Sequence, residues 1–326
     1  MALVALSEVH KTFRRGRSRV HAVNGVDLHI EPGETLALIG ESGSGKSTVG
    51  RLALGLLQPD EGQVIVDGMH LEQLDRKALQ AARRNMTIVF QEPFQSLDPL
   101  MGVGRIIEEP LVLHEPSLTP TERRERVEDT MRRVILDPGL YERRPRELSG
   151  GQQQRVGVAR AIVTGPKFVV LDEPTSSLDL SVQAGILELL ANLQQDLGLA
   201  YLFISHDIGT VDFFSDRVAV MYLGQVVETG PKAAVLDTPR HPYTEALLSA
   251  ALSADPDERP PHISLSGDIP SPTELPEGCF FYSRCSYRSD PRCAGENPPL
   301  HEVTPGHWVA TFCDIGSTAV VDGLQD

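Results

Sequence analysis

The sequence predicts an α/β fold in which a largely parallel sheet and a smaller antiparallel sheet lie side by side. Three short segments are nearly all apolar and rich in aliphatic and β-branched residues, which is typical of buried strands in a parallel sheet. They span 34–40, 167–172 and 200–205. Three others alternate apolar and polar residues, as strands do when one face of an antiparallel sheet meets water. They span 2–9, 23–30 and 62–68.

The alternation of strands and helices is interrupted twice. Residues 119–136 are charged and follow a helical pattern, so we interpret 95–160 as a helical insertion. Of the 24 prolines, 13 lie from Pro231 onward, and regular secondary structure is therefore expected to be sparse there. We call residues 231–326 the extension. Because it has few apolar runs, we expect it to need a stabilising cross-link, such as a metal bound by several side chains.

Composition excludes several classes of protein. The 326 residues carry a net charge of −15, which argues against a nucleic-acid partner bound through its phosphates. No segment approaches the roughly 18–20 apolar residues that a membrane-spanning helix needs. The N-terminus also lacks the pattern of a signal peptide. We expect a cytosolic protein that reaches a membrane only through its partners.

A phosphate-binding loop is predicted at GESGSGKST, residues 40–48, between an apolar strand and a helical segment. Glycines at these positions let the backbone N–H groups face inward as an anion site, and the helix adds its positive end. Lys46 supplies a charge for the β- and γ-phosphates, and Ser47 a hydroxyl for Mg²⁺. The candidate nucleotide-binding residues here are Gly40, Ser42, Gly43, Ser44, Gly45, Lys46, Ser47 and Thr48.

Two carboxylates end a buried strand in FVVLDEP, residues 168–174. Ligands bind at the carboxyl ends of strands in open α/β sheets. Adjacent carboxylates repel each other unless a cation lies close. Asp172 is therefore the candidate Mg²⁺ partner and Glu173 the candidate base that activates water.

A second phosphate site is predicted at LSGGQQQR, residues 148–155, which we call the signature segment. Ser149 is a plausible helix N-cap, and the exposed N–H groups that follow it suit a phosphate. Its candidate nucleotide-binding residues are Ser149, Gly150, Gly151 and Gln152. Since one ATP has one terminal phosphate, two such sites favour a head-to-tail dimer with ATP between the chains.

In their order and spacing, these motifs resemble those of the ATP-binding subunits of ABC transporters. The likeness extends to Gln91 in VFQEP, to SSLD at 176–179 and to His206 in FISHD. It implies that Gln91 links the Mg²⁺ and water site to the membrane partners. It implies also that Asp179 reaches across the dimer and that His206 holds the γ-phosphate and the attacking water. Phe13 matches the aromatic that stacks on adenine, although a strand aromatic is often part of a core.

The resemblance gives the fold class a sharper form. It implies a P-loop NTPase of ABC type with a RecA-like core, an antiparallel β subdomain and a helical subdomain. The ATPase domain is expected over 1–230, with the helical subdomain at about 95–160, and the cysteine-containing extension over 231–326. Both ATP binding and ATP hydrolysis are expected, because no catalytic motif departs from the pattern.

Three segments resemble the oligopeptide/dipeptide importer branch. They are EPFQSLDP (92–99), RHPYTEALLSA (240–250) and GCFFYSRCSYRSDPRC (278–293) with a later cysteine in FCD. The branch implies two membrane-spanning permease subunits, an extracytoplasmic solute-binding protein and a second ATPase subunit, with a heterodimer favoured. The chain would sit peripherally on the cytoplasmic face of the membrane. Import of nickel or another small solute, and a soluble ABC ATPase not coupled to transport, are the alternatives.

Four cysteines cluster in the extension, at Cys279, Cys285, Cys293 and Cys313. Disulfides are disfavoured in a reducing cytosol, and zinc sites usually show tighter pairs of ligands. Iron–sulfur clusters tolerate irregular spacing, and the peptide branch includes members with one. We therefore predict a 4Fe–4S cluster, with zinc and then free thiols as alternatives.

Arg14, Arg15, Arg17 and Arg19 are predicted to form a solvated loop, or a patch near lipid or nucleotide.

Overall fold

Two β-sheets organise the chain. The computed structural model describes residues 2–16, 18–91, 96–250, 263, 265, 267–313 and 315. Its strands are β1 Val4–Arg15, β2 Ser18–Ile30, β3 Thr35–Ile39, β4 Glu61–Val66, β5 Met69–His70, β6 Met86–Val89, β7 Phe168–Asp172, β8 Ala200–Ile204, β9 Arg217–Tyr222, β10 Gln225–Pro231, β11 His301–Thr304 and β12 His307–Val309. Its helices are α1 Lys46–Ala53, α2 Arg76–Ala82, α3 Val103–His114, α4 Pro120–Arg133, α5 Gly150–Ile162, α6 Leu180–Leu197, α7 Ile208–Phe214, α8 Lys232–Leu236 and α9 Pro242–Ser249.

The larger sheet has eight strands in the order β11-β12-β10-β9-β3-β8-β7-β6. The pairs β3/β8, β3/β9, β6/β7 and β7/β8 are parallel, which confirms the parallel sheet predicted from the apolar segments. All five residues of β3 and all five of β8 are buried, as expected for strands covered on both faces. The carboxyl ends of β3, β7 and β8 therefore lie together at one edge of the sheet.

The smaller sheet is antiparallel, in the order β2-β1-β4-β5. Its first two strands are longer than the alternating pattern predicted, because β1 runs on to Arg15 and β2 already begins at Ser18. Arg14 pairs with Arg19 across this hairpin. The prediction of an arginine loop is therefore wrong for Arg14, Arg15 and Arg19, since Arg15 also pairs with Ser18 at the end of the hairpin. Arg17 lies outside the described residues.

Helices α3, α4 and α5 lie between β6 and β7 in the sequence and contact one another. Helix α4 begins at a capping box in which the Thr119 side chain accepts from the Glu122 N–H, and Glu122 in turn accepts from the Thr119 N–H. Its apolar residues Val127 and Met131 are fully buried. No described helix has the length and apolar character needed to cross a membrane.

The extension returns to the larger sheet. Strand β12 pairs antiparallel with β10, with Glu228 opposite Val309, and β11 then pairs with β12. Glu228 is fully buried and accepts from the backbone N–H groups of Arg240 and His241, while His307 Nε2 lies 2.7 Å from its Oε1. The extension is thus held by strand pairing and by a buried carboxylate, which its proline content did not predict.

Candidate functional site

The phosphate loop, residues 40–48, connects β3 to α1. Its glycines Gly40, Gly43 and Gly45 have φ angles of 146°, 79° and 105°, a range that L-residues with a Cβ rarely adopt. At Gly45 a Cβ would lie only 2.3 Å from the carbonyl oxygen of Ala22 on β2. Because the neighbouring strand fills this space, the loop can take its shape only with glycine here.

Lys46 lies at the start of α1, with its ammonium group folded back over the loop. Its Nζ donates to the carbonyl oxygens of Gly40 and Glu41, at 2.7 and 2.9 Å. Burial lowers the pKa of Lys46, whereas the carboxylates of Glu173 and Asp172 oppose that effect. A partly desolvated cation of this kind gains from an anionic ligand, and the β- and γ-phosphates of ATP meet that need.

The candidate Mg²⁺ ligands Ser47 and Asp172 are in contact. The Ser47 hydroxyl donates to Asp172 Oδ1 at 3.0 Å, although 125 residues separate the two in the sequence. Burial raises the pKa of Asp172, and the hydrogen bond from Ser47 partly offsets this. A hydroxyl and a carboxylate beside the phosphate loop are the hard oxygen ligands that Mg²⁺ prefers.

The candidate base Glu173 lies between two polar side chains. Gln91 Nε2 donates to its Oε2 at 2.9 Å, and His206 Nδ1 lies 3.3 Å from the same oxygen. Glu173 has a φ of 49°, a left-handed conformation that is strained for a residue with a side chain. The structure thus brings together all three residues predicted to be catalytic, at the ends of β6, β7 and β8.

One cavity of about 680 Å³ joins these groups, a volume within the range of small-ligand sites. Its lining residues are Val20, Ala22, Ser42, Gly43, Gly45, Lys46, Ser47, Thr48, Gln91, Glu173, His206 and Pro272. Phe13 is not among them. It lies on β1 directly opposite Val20 and is 37% exposed, so its ring is one strand away from the cavity wall.

The signature segment forms the N-terminal turn of α5, apart from this cavity. Ser149 is the N-cap, as predicted, and its hydroxyl accepts from the Gln152 N–H while the Gln152 side chain accepts from the Ser149 N–H. Gly151 packs so closely on Val182 that a Cβ would lie 2.7 Å from its Cγ1. Asp179 is the exposed N-cap of α6, which carries Val182. One chain therefore carries two separate candidate phosphate sites.

The signature helix also reaches the catalytic strand end. The fully buried side chain of Gln154 donates to the carbonyl oxygen of Pro174 at 2.6 Å, and Pro174 follows Glu173 directly. A shift of α5 would therefore displace the backbone next to the candidate base Glu173.

Three residues without a predicted role contact the phosphate loop or the cavity. Tyr243 and Arg284 both bond to Glu41 of the loop, and Pro272 lines the cavity. Tyr243 and Arg284 stand in the two peptide-branch segments at 240–250 and 278–293. Those segments were therefore the available signal, but they did not indicate which residues the side chains would meet.

The four cysteines converge on a small cavity of about 10 Å³, which all of them line. They are free thiols, and the sulfur atoms of Cys293 and Cys313 lie 3.8 Å apart. Burial raises the pKa of Cys279, that of Cys285 to about 11 and that of Cys293 to about 12. Within the described ranges, no three or more His, Cys, Asp or Glu side chains are arranged to hold a metal ion. The geometry therefore gives the zinc and iron–sulfur predictions no support beyond the thiol donor set.

Another cavity, separate from the nucleotide and cysteine cavities and of about 410 Å³, lies between the large sheet and α3. Among its lining residues, Leu56, Phe90 and Leu113 are 47%, 40% and 57% exposed. Phe90 immediately precedes Gln91. This cleft thus offers an apolar surface that is one residue from the nucleotide cavity.

Comparison with known proteins places the chain in a family. Residues 23–176 match the model of the ABC transporter family, and residues 227–293 match the oligopeptide/dipeptide transporter C-terminal region. A probable peptide ABC transporter ATP-binding protein of Sinorhizobium fredii is 46% identical over 92% of this chain and 84% of its own length. The dipeptide transport ATP-binding protein DppF of Escherichia coli is 46% identical over 90% of this chain and 87% of its own length.

Solved structures give the same result for the fold. The ATP-binding cassette MJ0796, a dimer bound to ADP and phosphate, superposes with a TM-score of 0.64 and 33% identity, covering 70% of this chain and 98% of the cassette. CbiO1 of Clostridium perfringens gives a TM-score of 0.65 and 31% identity, covering 73% of this chain and 91% of its own. The chain is an ATPase that belongs to the ATP-binding subunits of ABC transporters, in the branch that carries the oligopeptide/dipeptide transporter C-terminal region.

Proposed function

We propose that this chain binds and hydrolyses ATP to power the import of di- or oligopeptides through a membrane-spanning permease. The observation that carries the proposal is a single cavity lined by the phosphate loop, Glu173 and His206, in a chain whose extension matches the oligopeptide/dipeptide transporter region. The relatives from Sinorhizobium fredii and Escherichia coli bear peptide and dipeptide transport names, which supports the choice of solute.

In this proposal the residues of one chain bind the phosphates and activate water. The loop N–H groups and Lys46 hold the β- and γ-phosphates. Ser47, Asp172 and Gln91 would provide oxygen ligands for Mg²⁺, which would supply neutralisation of the phosphate charge. Glu173 Oε2 accepts a proton from the attacking water. His206, which lies 3.3 Å from that oxygen, orients the water and the γ-phosphate. Catalysis then comes from position and charge rather than from a covalent intermediate.

A second ATPase subunit completes each site. The signature residues Ser149 to Gln152 do not line the cavity of their own chain, so a partner's signature segment would supply the missing phosphate contacts, with Asp179 at the same interface. The dimeric MJ0796 cassette supports an arrangement of two cassettes. We propose a related chain rather than a second copy as the partner. Formation of an ATP-dependent homodimer by the purified Glu173→Gln protein would contradict that choice.

The permease would dock at the apolar cleft between the large sheet and α3. Phe90 and Leu113 are exposed there, and Phe90 adjoins Gln91, whose amide donates to Glu173. A helix of a permease seated in this cleft would therefore sense the occupancy of the ATP site through one peptide bond. With this docking, the chain is peripheral on the cytoplasmic face of the membrane, and an extracytoplasmic binding protein delivers the solute.

We also propose that the four cysteines hold a 4Fe–4S cluster, with zinc as the alternative. The support is the donor set, since four thiols line one cavity and thiolates are the ligands that both iron–sulfur clusters and zinc take. Protein purified without oxygen should contain iron and acid-labile sulfide. One zinc per chain would replace the cluster with a structural site, and four titratable thiols without metal would eliminate both.

The test of the main proposal is reconstitution in proteoliposomes with the permease subunits, the partner ATPase and the binding protein. ATP hydrolysis should rise when the binding protein carries a peptide, and a labelled peptide should accumulate in the vesicles. Binding protein without solute, and Ni²⁺ in place of peptide, are the controls. Stimulation by Ni²⁺ alone would favour nickel import. A chain that never co-purifies with membrane subunits would favour a soluble ABC ATPase.

A further inference from the structure

Glu41, the second residue of the phosphate loop, is bound by two residues of the extension. Arg284 donates through Nη1 and Nη2 to the two oxygens of its carboxylate, at 2.9 and 3.0 Å. The Tyr243 hydroxyl accepts from the Glu41 backbone N–H at 2.9 Å. The Arg284 side chain is only 7% exposed. A bidentate pair with a buried guanidinium has a fixed geometry.

Aromatic packing holds Arg284 in place. The residue ends a short 3₁₀ helix, Tyr282–Arg284, between Cys279 and Cys285. Phe281, which precedes this helix, packs on Tyr222 and Tyr243 with ring centroids 5.3 and 5.5 Å away. Because these rings are buried, the guanidinium has little freedom to leave the loop.

The position of Glu41 bears directly on the ATP site. Its carbonyl oxygen accepts from Lys46 Nζ at 2.9 Å. The peptide whose N–H bonds to Tyr243 carries the Gly40 carbonyl, which accepts from the same Nζ at 2.7 Å. Both carbonyls that hold the ammonium group therefore flank the Cα of Glu41. Its carboxylate is close enough to Lys46 to influence the pKa of that residue. An unpaired carboxylate beside the phosphate loop would disfavour an anionic ligand there, and the guanidinium of Arg284 offsets its charge.

The extension reaches the nucleotide cavity at a second place. Pro272 forms part of the cavity wall, and its carbonyl oxygen accepts from the backbone N–H of His21 on β2 at 2.8 Å. Two separate segments of the extension, around residues 272 and 284, therefore border the site, one at the wall and one behind the loop.

We propose that Arg284 is a positioning residue for ATP binding, which holds Glu41 in place and neutralises its carboxylate beside the phosphate loop. The extension is then part of the nucleotide site of the ATPase proposed above. The inference rests on ATP binding by the chain and not on the identity of the solute, so failure of the peptide assay would leave it standing.

The test is a double-mutant cycle on the full-length chain. Arg284→Gln should weaken ATP binding by about tenfold, as expected when a charge-assisted pair is broken and a carboxylate is left near the phosphates. Glu41→Gln should weaken ATP binding less than Arg284→Gln does, because it breaks the same pair but leaves no unneutralised carboxylate beside the phosphate loop. The double variant should therefore bind ATP better than Arg284→Gln does. Arg284→Gln and the double variant both lack the pair, so a difference in ATP affinity between them reports the unneutralised Glu41 carboxylate.

Further measurements separate positioning from folding. In the assembled transporter, Arg284→Gln should raise the KM for ATP and leave kcat within about twofold, since it weakens ground-state binding. Arg284→Lys keeps the charge but loses the bidentate contact, so its KM for ATP should lie between those of the unmodified chain and Arg284→Gln. It also provides the measurement if Arg284→Gln does not fold. Arg292→Gln is the matched control, because Arg292 pairs with Asp290 on an exposed part of the same extension. Unchanged ATP affinity in both Arg284 variants, or a double variant no better than Arg284→Gln, would overturn the proposal.

Discussion

Gly45→Ala should destabilise the protein far more than alanine at a glycine of an ordinary turn. Gly45 has a φ of 105°, and a Cβ there would lie 2.3 Å from the Ala22 carbonyl oxygen and 2.8 Å from Met221 Cε. Real Cβ atoms essentially never come within 3.0 Å of another heavy atom. The Ala22 oxygen belongs to the backbone of β2, so this strand would have to move away from the loop, while the end of the Met221 side chain would have to turn aside.

Gly33 provides the matched comparison. It has a φ of 75° in the turn between β2 and β3, and a Cβ there would meet nothing within 4 Å. Gly33→Ala therefore isolates the cost of a left-handed backbone, about 1–2 kcal/mol. Gly45→Ala adds the steric overlap with Ala22 and Met221, about 1–3 kcal/mol more. The total is about 2–5 kcal/mol of lost stability.

Thermal unfolding of both variants without nucleotide is the assay. For a domain of this size each kcal/mol lowers the melting temperature by about 2–4 °C, so Gly45→Ala should melt at least about 2 °C below Gly33→Ala. ATP titration of the folded Gly45→Ala fraction should also show weakened binding, whereas Gly33→Ala should bind normally. Equal melting temperatures would refute the packing of the phosphate loop between β2 and β9 described above.

Three further substitutions test the roles of individual side chains. Glu173→Gln should retain ATP binding and lower the hydrolysis rate of the assembled transporter by about 10²- to 10⁴-fold, because it removes the base; ordinary turnover would exclude this residue. Lys46→Ala should weaken ATP binding in a direct titration by about ten- to a hundredfold, since a charge-assisted bond to the phosphates is lost; unchanged affinity would place the phosphates elsewhere. Phe13→Ala should weaken ATP and ADP equally, by about tenfold for a lost base stack, while Phe13→Tyr should not; two normal variants would assign Phe13 to packing alone.

The parts of the site that sequence could predict depend on short-range signals. The run from Gly40 to Ser47, with the apolar residues before it, predicts a strand, a tight loop and a helix within a short stretch of sequence. The structure has all three, with φ positive at the predicted glycines. Asp172 and Glu173 were placed at a sheet edge because buried parallel strands read as unbroken apolar runs. Each inference needed only the neighbours of the residue in the sequence.

Strand length was harder to predict because bulges break the alternating pattern. The pairing of β1 with β2 shifts register between Leu6 and Val9, between Val9 and Lys11, and between Lys11 and Thr12. Each shift changes which side chains face the core, so the alternation ended at Val9 although the strand did not.

Contacts between distant segments could not be predicted from the sequence for a different reason. Arg284 and Glu41 lie 243 residues apart in the sequence, and no periodicity or local motif states that they pair. The extension segments were recognisable as family features, but which side chain would face the phosphate loop depends on the packing of Phe281, Tyr222 and Tyr243. That packing exists only in the folded chain.

The pairing of β12 with β10 has a consequence for any shortened form of this protein. A chain stopped at residue 230 would keep every ATPase motif, yet it would expose the free edge of β10, a ready template for aggregation. It would also remove the two backbone donors and the histidine that now bond to the carboxylate of Glu228, and each lost hydrogen bond to a charged group lowers stability. The last residue of the catalytic motifs is therefore not the last residue of the cooperative folding unit.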